Sequence, residues 1–86
     1  MTIIDVRTTQ EFVSGNVEGS LNIPLQELMN HIEEIKTLPE PIIFCCASGI
    51  RSEQAANYFK SLGVKSENAG SWRDVNPYFF KFFRKF

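Results

Sequence analysis

The sequence has few of the residues that metal sites and disulfide scaffolds require. It contains one histidine, His31, and two cysteines that are neighbours, Cys45 and Cys46. Adjacent cysteines close almost no loop, which excludes a structural disulfide of the secreted type. A zinc site needs more ligands at spaced positions than this chain supplies. The two thiols are therefore either small buried side chains or groups used for chemistry, and no metal or other cofactor is expected.

Long apolar runs and an excess of charge of one sign are also missing. No apolar stretch approaches the about 20 residues that cross a bilayer, and residues 1–5 lack the basic flank and apolar run of a signal peptide. The net charge of −1 gives no dominant attraction to nucleic acid or acidic lipid. We therefore expect a cytoplasmic protein whose partners are neither nucleic acid nor a membrane. Its 86 residues, 43% of them apolar, predict one domain over residues 1–86.

Short apolar segments alternate along the chain with segments of helical spacing. Strands are predicted at residues 2–5, 21–23, 42–45 and 64–68. Helices are predicted at residues 10–13, 25–35 and 52–62, and their inner sides include Met29 in the second and Phe59 and Leu62 in the third. This alternation predicts an α/β fold with a four- or five-stranded, mainly parallel sheet and helices on both faces. Ligands bind beyond the carboxyl ends of strands in such sheets, and the most apolar strand ends at the two cysteines.

The end of the chain carries an aromatic stripe beside a basic one. The pattern i, i+3, i+4, i+7 is occupied by Phe79, Phe82, Phe83 and Phe86, and the other side by Lys81, Arg84 and Lys85. It predicts an amphipathic helix after Asp74. We expect its aromatic side to pack on the sheet, the alternative being contact with a membrane or protein partner.

After Cys46 a segment of mostly small residues leads into a helix. The segment consists of Ala47, Ser48, Gly49, Ile50, Arg51 and Ser52. Successive backbone N–H groups in such a turn can converge into a cradle for an anion, and the helix dipole adds positive charge. Arg51 adds a full charge, Gly49 suits a tight turn, and the two serine hydroxyls are further donors. The Cys46 thiol is therefore predicted to have a lowered pKa and to be nucleophilic at neutral pH.

Asp5 and Arg7 follow the first strand and lie at the same end of the predicted sheet. They are expected either to belong to a polar network under the loop, together with Arg51, or to form an ion pair that ties the first strand to the next helix. Glu11 is expected to have a structural role.

Several motifs, in the same order, resemble the rhodanese-like domain family. Residues 46–52 resemble its Cys-x-x-Gly-x-Arg-Ser active-site loop. Residues 3–12 resemble its Leu-Asp-Val-Arg…Glu-Tyr/Phe start, residues 15–24 its Gly-His-Ile-x-Gly-Ala-x-Asn-Ile-Pro segment, and residues 70–72 its Gly-Gly…Trp motif. Asn16, Ser20 and Ala69 depart from this pattern. The strand and helix that usually precede the Asp-Val-Arg segment have no counterpart here, which favours the lower strand number.

The resemblance implies a rhodanese-like fold and a thiosulfate sulfurtransferase-like enzyme. Cys46 would take sulfane sulfur from a donor, either a small sulfur-containing anion such as thiosulfate or a protein persulfide, and hold it as a persulfide. Cyanide or a thiol would then accept that sulfur. In this scheme Cys46 and Arg51 are catalytic and Asp5 and Arg7 support the loop. The substrate is bound by Ala47, Ser48, Gly49, Ile50 and Ser52.

Two alternatives compete with this interpretation. Four residues separate Cys46 from Arg51, but five separate Cys45 from Arg51, and the longer spacing is that of Cys-dependent phosphatases and arsenate reductases on the same fold. Such phosphatases often have a histidine before the cysteine, where this chain has Phe44, so we favour Cys46. The other alternative, from a different class, is a rhodanese-like module that binds partners without catalysis.

Overall fold

A computed structural model describes residues 1–75, and this part of the chain forms a sheet of four parallel strands. The strands are β1 (Thr2–Asp5), β2 (Leu21–Asn22), β3 (Ile42–Cys46) and β4 (Ser66–Ser71). Their order in the sheet is β2-β1-β3-β4, and each adjacent pair is parallel. The predicted α/β class with a mainly parallel sheet is therefore confirmed, with the lower of the two predicted strand numbers.

The helices of the described residues are short except for one. They are α1 (Thr9–Val13), a 3-10 helix (Leu25–Asn30), α2 (Ile32–Lys36), α3 (Ile50–Ser61) and a 3-10 turn (Trp72–Asp74). Within residues 1–75 no helix has the length and apolar character needed to cross a membrane. The predicted aromatic helix after Asp74 lies outside the described residues.

Helix α1 begins where its cap is made. The Thr8 side chain accepts a hydrogen bond from the backbone N–H of Glu11, and the Glu11 side chain accepts one from the backbone N–H of Thr8. This capping box satisfies two N–H groups that the first turn of a helix leaves without partners. Such a cap matters here because a helix of five residues is far too short to form by itself.

Strand β3 lies between β1 and β4, and its alternating side chains build the core on both faces of the sheet. Ile42, Phe44 and Cys46 join a cluster with α3, the 3-10 helix and α2. Ile43 and Cys45 join a second cluster with Ile3, Val75 and Trp72. Successive residues of a strand point to opposite faces, so the two cysteines occupy different environments although they are neighbours in sequence.

Two predicted core positions are wrong. Met29 is 60% exposed because the predicted helix over 25–35 is divided at His31 and its first part is a 3-10 helix. A 3-10 helix has about three residues per turn, so a stripe spaced for an α-helix does not stay on one face. Leu62 is 36% exposed because α3 ends at Ser61 and the chain turns away there.

The junction between β3 and α3 is shorter than predicted. β3 continues through Cys46 instead of ending at Cys45, and α3 begins at Ile50 instead of Ser52. The early start of α3 is explained by the backbone N–H of Glu53, which donates to the carbonyl of Gly49 at 3.0 Å. Residues 47–49 alone therefore reverse the chain.

We expect Phe59→Ala to lower the free energy of unfolding by about 3–5 kcal/mol, because truncating a fully enclosed aromatic leaves a cavity. Phe59 is fully buried and stacks on Phe44 with ring centroids 5.5 Å apart. The matched control is Leu62→Ala, which lies directly after the same helix and is partly exposed, and it is expected to cost about 1 kcal/mol. Urea denaturation measures both, and equal losses would contradict the described core.

Candidate active site

The turn at residues 47–49 depends on the backbone of Gly49. Its φ is +104°, a left-handed conformation that side chains disfavour. A Cβ atom at this position would also lie 3.2 Å from the Cα of Gly70 in β4. The missing Cβ of Gly49 therefore lets the loop approach β4 closely and aim the first N–H groups of α3 back toward Cys46.

The sulfur of Cys46 is surrounded by hydrogen-bond donors. The backbone N–H of Gly49 donates to its Sγ at 3.0 Å, and the Ser52 hydroxyl oxygen lies 3.3 Å away. Burial disfavours the thiolate and acts to raise the pKa of Cys46, but the Ser52 hydroxyl and the N–H groups of Ser52, Gly49 and Ser48 outweigh it. The pKa of Cys46 is therefore below that of an ordinary cysteine, because donors stabilise the charged form.

Cys45 differs in this respect, because no N–H or O–H group of residues 1–75 donates to its sulfur. Both cysteines are buried, so exposure does not distinguish them. Cys45 lies on the other face of the sheet among Ile3, Ile43 and Val75. Burial, followed by the negative charge of Asp5, raises its pKa to about 12. Its thiolate is therefore a negligible species at neutral pH, and a buried thiol of this kind is inert.

Arg51 points to Glu11 of α1. Its two terminal nitrogens donate to the two carboxylate oxygens of Glu11 at 2.8 and 3.1 Å. The pKa of Glu11 falls to about 2, chiefly through the Arg51 hydrogen bond and then the Thr8 backbone N–H. Glu11 also raises the pKa of Arg51, and the Cys46 thiolate acts in the same direction after it. The predicted charge is thus near the loop, but a carboxylate already pairs with it.

Asp5 at the end of β1 and Arg7 just after it form an ion pair. The Arg7 guanidinium donates to both carboxylate oxygens of Asp5, the shortest contact being 2.7 Å, and both side chains are buried. Arg7 also donates to the backbone carbonyls of Glu11 and Gly15. It therefore ties β1 to α1 and the segment after it, which is the second of the two arrangements that the sequence allowed.

The structure brings most of the predicted site residues around Cys46. Ser52 is buried and Gly49 is half-buried, whereas Ala47, Ser48 and Ile50 are exposed on the turn. Asn68 of β4 was not among the predicted site residues, although its side chain contacts both Ser52 and Gly49. Its polar character near the carboxyl end of a parallel strand was the available signal. In residues 1–75, no group of three or more His, Cys, Asp or Glu side chains could hold a metal ion.

Residues 1–75 match the Rhodanese-like domain family. The chain belongs to that family. This rhodanese-like domain is 34% identical over 91 residues to the mouse thiosulfate sulfurtransferase/rhodanese-like domain-containing protein 3, a match that covers 88% of this chain and 58% of the mouse protein. It is 31% identical to the human thiosulfate:glutathione sulfurtransferase, covering 84% of this chain and 76% of the human protein. The match covers between 35% and 58% of the length of several curated relatives.

A solved structure confirms the rhodanese-like fold. It is described as rhodanese with anions from E. coli, and it matches with a TM-score of 0.77 at 30% identity, covering 86% of this chain and 89% of that one. The agreement extends over nearly the whole length of both chains. The fold class predicted from the motifs is therefore confirmed.

We expect Ser52→Ala to raise the pKa of Cys46, because Ser52 supplies the side-chain hydrogen bond that lowers it. At a pH below that pKa, the iodoacetamide alkylation rate should fall about threefold, since the rate follows the thiolate fraction. Arg51→Ala should change the rate less than about twofold because Arg51 is bound to Glu11. Lys60→Ala, which removes a positive charge at the far end of α3, is the control. A larger effect of Arg51→Ala than of Ser52→Ala would contradict this assignment.

Proposed function

We propose that this rhodanese-like domain is a sulfurtransferase that carries sulfane sulfur on Cys46. The observation that carries the proposal is the set of donors converging on Cys46 Sγ, with the Gly49 N–H at 3.0 Å and the Ser52 hydroxyl at 3.3 Å. A thiol in this environment is a nucleophile at neutral pH. The names of its relatives, which include a thiosulfate sulfurtransferase from E. coli and the human thiosulfate:glutathione enzyme, support the same reaction class.

The first half-reaction transfers sulfur to the protein. The Cys46 thiolate attacks the outer sulfur of the donor, which we take to be thiosulfate or a persulfide. A new S–S bond forms at Cys46 Sγ while the old bond to the outer sulfur breaks. With thiosulfate, sulfite leaves with the electron pair of the broken bond. Cys46 is then a persulfide whose negative charge is on the outer sulfur.

The second half-reaction returns the protein to its starting state. An acceptor nucleophile, either cyanide or a thiolate, attacks the outer sulfur of the persulfide. The S–S bond to Cys46 breaks, and its electron pair returns to Sγ as the thiolate. The products are thiocyanate or a new persulfide on the acceptor thiol. Neither half-reaction needs an external oxidant or reductant, because sulfane sulfur passes between two nucleophiles.

The loop has the donors that both half-reactions need. The N–H groups of Ser48, Gly49 and Ser52 lower the pKa of Cys46, and in our proposal they also hold the charged outer sulfur. Preorganised backbone donors in a site closed to water stabilise developing negative charge without having to reorganise. Arg51 is held by Glu11, so in our mechanism it positions the loop and contributes positive charge at longer range.

The environment of Cys45 argues against the phosphatase register. That register needs a Cys45 thiolate, but Cys45 is on the opposite face of the sheet and its pKa is raised to about 12. Cys46 also completes the parallel ladder by pairing with Ser71 in β4. The loop therefore starts after Cys46, which leaves the shorter spacing to Arg51 that we associate with sulfur transfer.

We predict that Cys46→Ala abolishes thiosulfate:cyanide sulfurtransfer, since the nucleophile is removed. Cys45→Ala is the matched control and should keep most of the activity, because it shortens an apolar side chain on the other face of the sheet. Thiocyanate formation measures turnover, and intact mass after thiosulfate treatment reports the gain of one sulfur. Loss of both signals in Cys45→Ala alone, with the fold intact, would overturn the assignment to Cys46.

We also predict no significant hydrolysis of p-nitrophenyl phosphate and no reduction of arsenate. A phosphoryl group needs donors for three oxygens, and the turn of residues 47–49 is short. Phosphatase turnover that disappears in Cys45→Ala would reverse the ranking of the two chemistries. Inactivity in all assays, with no sulfur gained by mass, would favour a module that binds partners without catalysis.

A further inference from the structure

Asn68 of β4 contacts residues 46–52, the segment that we call the reactive loop, at two points. Its Nδ2 donates to the backbone carbonyl of Gly49 at 3.1 Å, and its Oδ1 lies 2.6 Å from the Ser52 hydroxyl oxygen. The backbone N–H of Gly70 also donates to Oδ1, at 2.8 Å. The Gly49 N–H donates to Cys46 Sγ, and the Ser52 hydroxyl oxygen lies 3.3 Å from the same sulfur. Asn68 therefore contacts both residues, Gly49 and Ser52, whose polar groups lie against the Cys46 sulfur.

These contacts fix the orientation of the Asn68 amide. Nδ2 must be the atom that faces the Gly49 carbonyl, because only the amide nitrogen can donate to it. The Gly70 N–H requires an acceptor and so faces Oδ1. Oδ1 has no hydrogen, so at 2.6 Å the Ser52 hydroxyl must donate its proton to it.

The Ser52 hydroxyl has one proton and two acceptors within reach. Its oxygen is 2.6 Å from Asn68 Oδ1 and 3.3 Å from Cys46 Sγ, and a hydroxyl donates only one hydrogen bond. While Ser52 donates to Asn68, its lone pairs face Cys46 and can accept the S–H of the neutral thiol. To stabilise the thiolate, the hydroxyl must rotate away from Asn68 and donate to the sulfur.

We propose that Asn68 is a positioning residue that competes with the Cys46 thiolate for the Ser52 proton and thereby sets the reactivity of Cys46. Its carbonyl oxygen favours the hydroxyl orientation that suits the neutral thiol. Its Nδ2 group holds the Gly49 carbonyl, which fixes the backbone of that residue, so that the Gly49 N–H remains directed at the sulfur in either state. The thiolate is therefore stabilised by the backbone permanently and by Ser52 only at the cost of the Asn68 hydrogen bond.

The competition has a consequence for sulfur transfer, which rests on the proposed function. In the persulfide the negative charge has moved to the outer sulfur, and Cys46 Sγ is a neutral atom with little demand for a strong donor. The Ser52 proton then returns to Asn68. Asn68 thus favours the persulfide over the free thiolate. Because the free thiolate is not fully stabilised by the Ser52 hydrogen bond, it remains a strong nucleophile.

Among residues 1–75, the titratable groups on the elements around the loop include two ion pairs and two further residues. On β1 the Asp5 carboxylate pairs with Arg7, and on α3 Arg51 pairs with Glu11 of α1. On β3 the Cys45 thiol is neutral at neutral pH because its pKa is raised to about 12. On β4, Glu67 is next to Asn68 in sequence. The substitutions below leave all six of these residues in place, so their effects report on Asn68 and Ser52.

The test measures the apparent pKa of Cys46 from iodoacetamide alkylation against pH in the full chain. Asn68→Ala frees the Ser52 proton for the thiolate, so we expect a lower pKa and about tenfold more thiolate at a pH below it. Asn68→Asp retains an acceptor for Ser52 and adds a negative charge, so we expect about tenfold less thiolate. Asn57→Ala, an exposed position on α3, is the matched control and should change nothing. Circular dichroism verifies that each variant is folded.

Combining the substitutions isolates the shared proton. Ser52→Ala should slow alkylation about threefold in the native background but about thirtyfold in the Asn68→Ala background, since the hydroxyl there belongs to the sulfur alone. Ser61→Ala, which removes the exposed hydroxyl at the end of α3, is the control in both backgrounds. Equal effects of Ser52→Ala in the two backgrounds would overturn the proposal. Shifts of the Cys46 pKa in the same direction in Asn68→Ala and Asn68→Asp would also overturn it. A loop that is only loosened would shift this pKa in the same direction in both variants.

These measurements do not depend on sulfur transfer. If neither the native chain nor any variant forms a persulfide, the sulfurtransferase proposal fails. The alkylation profiles still decide the role of Asn68 in that case. If Asn68→Ala does not fold, Asn68→Asp still tests the proposal, because an aspartate side chain has nearly the same size and shape as an asparagine. An unchanged or lowered pKa of Cys46 in folded Asn68→Asp would overturn it.

Discussion

Between the last residue of β3 and the first residue of α3 the chain has only residues 47–49 in which to reverse. The reversal is possible because Gly49 adopts a left-handed backbone and its missing Cβ leaves room for Gly70. This constraint brings the Gly49 N–H to Cys46 Sγ and starts α3 where Ser52 faces the same atom. Without it, burial would make Cys46 an inert thiol like its neighbour.

The two cysteines show how strand geometry assigns chemistry. Consecutive residues of β3 lie on opposite faces, so Cys45 belongs to an apolar cluster and Cys46 to the loop side. The same burial that raises the pKa of Cys45 to about 12 is outweighed at Cys46 by donors. A difference of one position in the sequence therefore separates a packing residue from a candidate nucleophile. The pleat of the strand provides this separation without any further residues.

What the sequence predicted well was local. The Cys46 loop, the tight turn at Gly49 and the alternation of strands and helices follow from contiguous motifs and from periodicity, whose physical causes act within a few residues. The pairings of Arg51 with Glu11 and of Ser52 with Asn68 join residues 40 and 16 positions apart. No spacing rule encodes such contacts, because they depend on which strands become neighbours. The predicted burial of Leu62 and Met29 was wrong for a local reason. Leu62 follows the end of α3, and Met29 lies in a 3-10 helix, so neither side chain lies on the expected face.

Glu11 makes two contacts with one carboxylate. It closes the capping box of α1 through Thr8 and binds Arg51 at the start of α3. A helix as short as α1 has little stability of its own. The Glu11 contacts that stabilise α1 therefore also hold Arg51 next to the loop. By thermodynamic linkage, whatever favours the winding of α1 also favours the placement of Arg51, and the reverse holds with equal free energy. The first helix of the chain and the reactive loop are, in this sense, one cooperative unit.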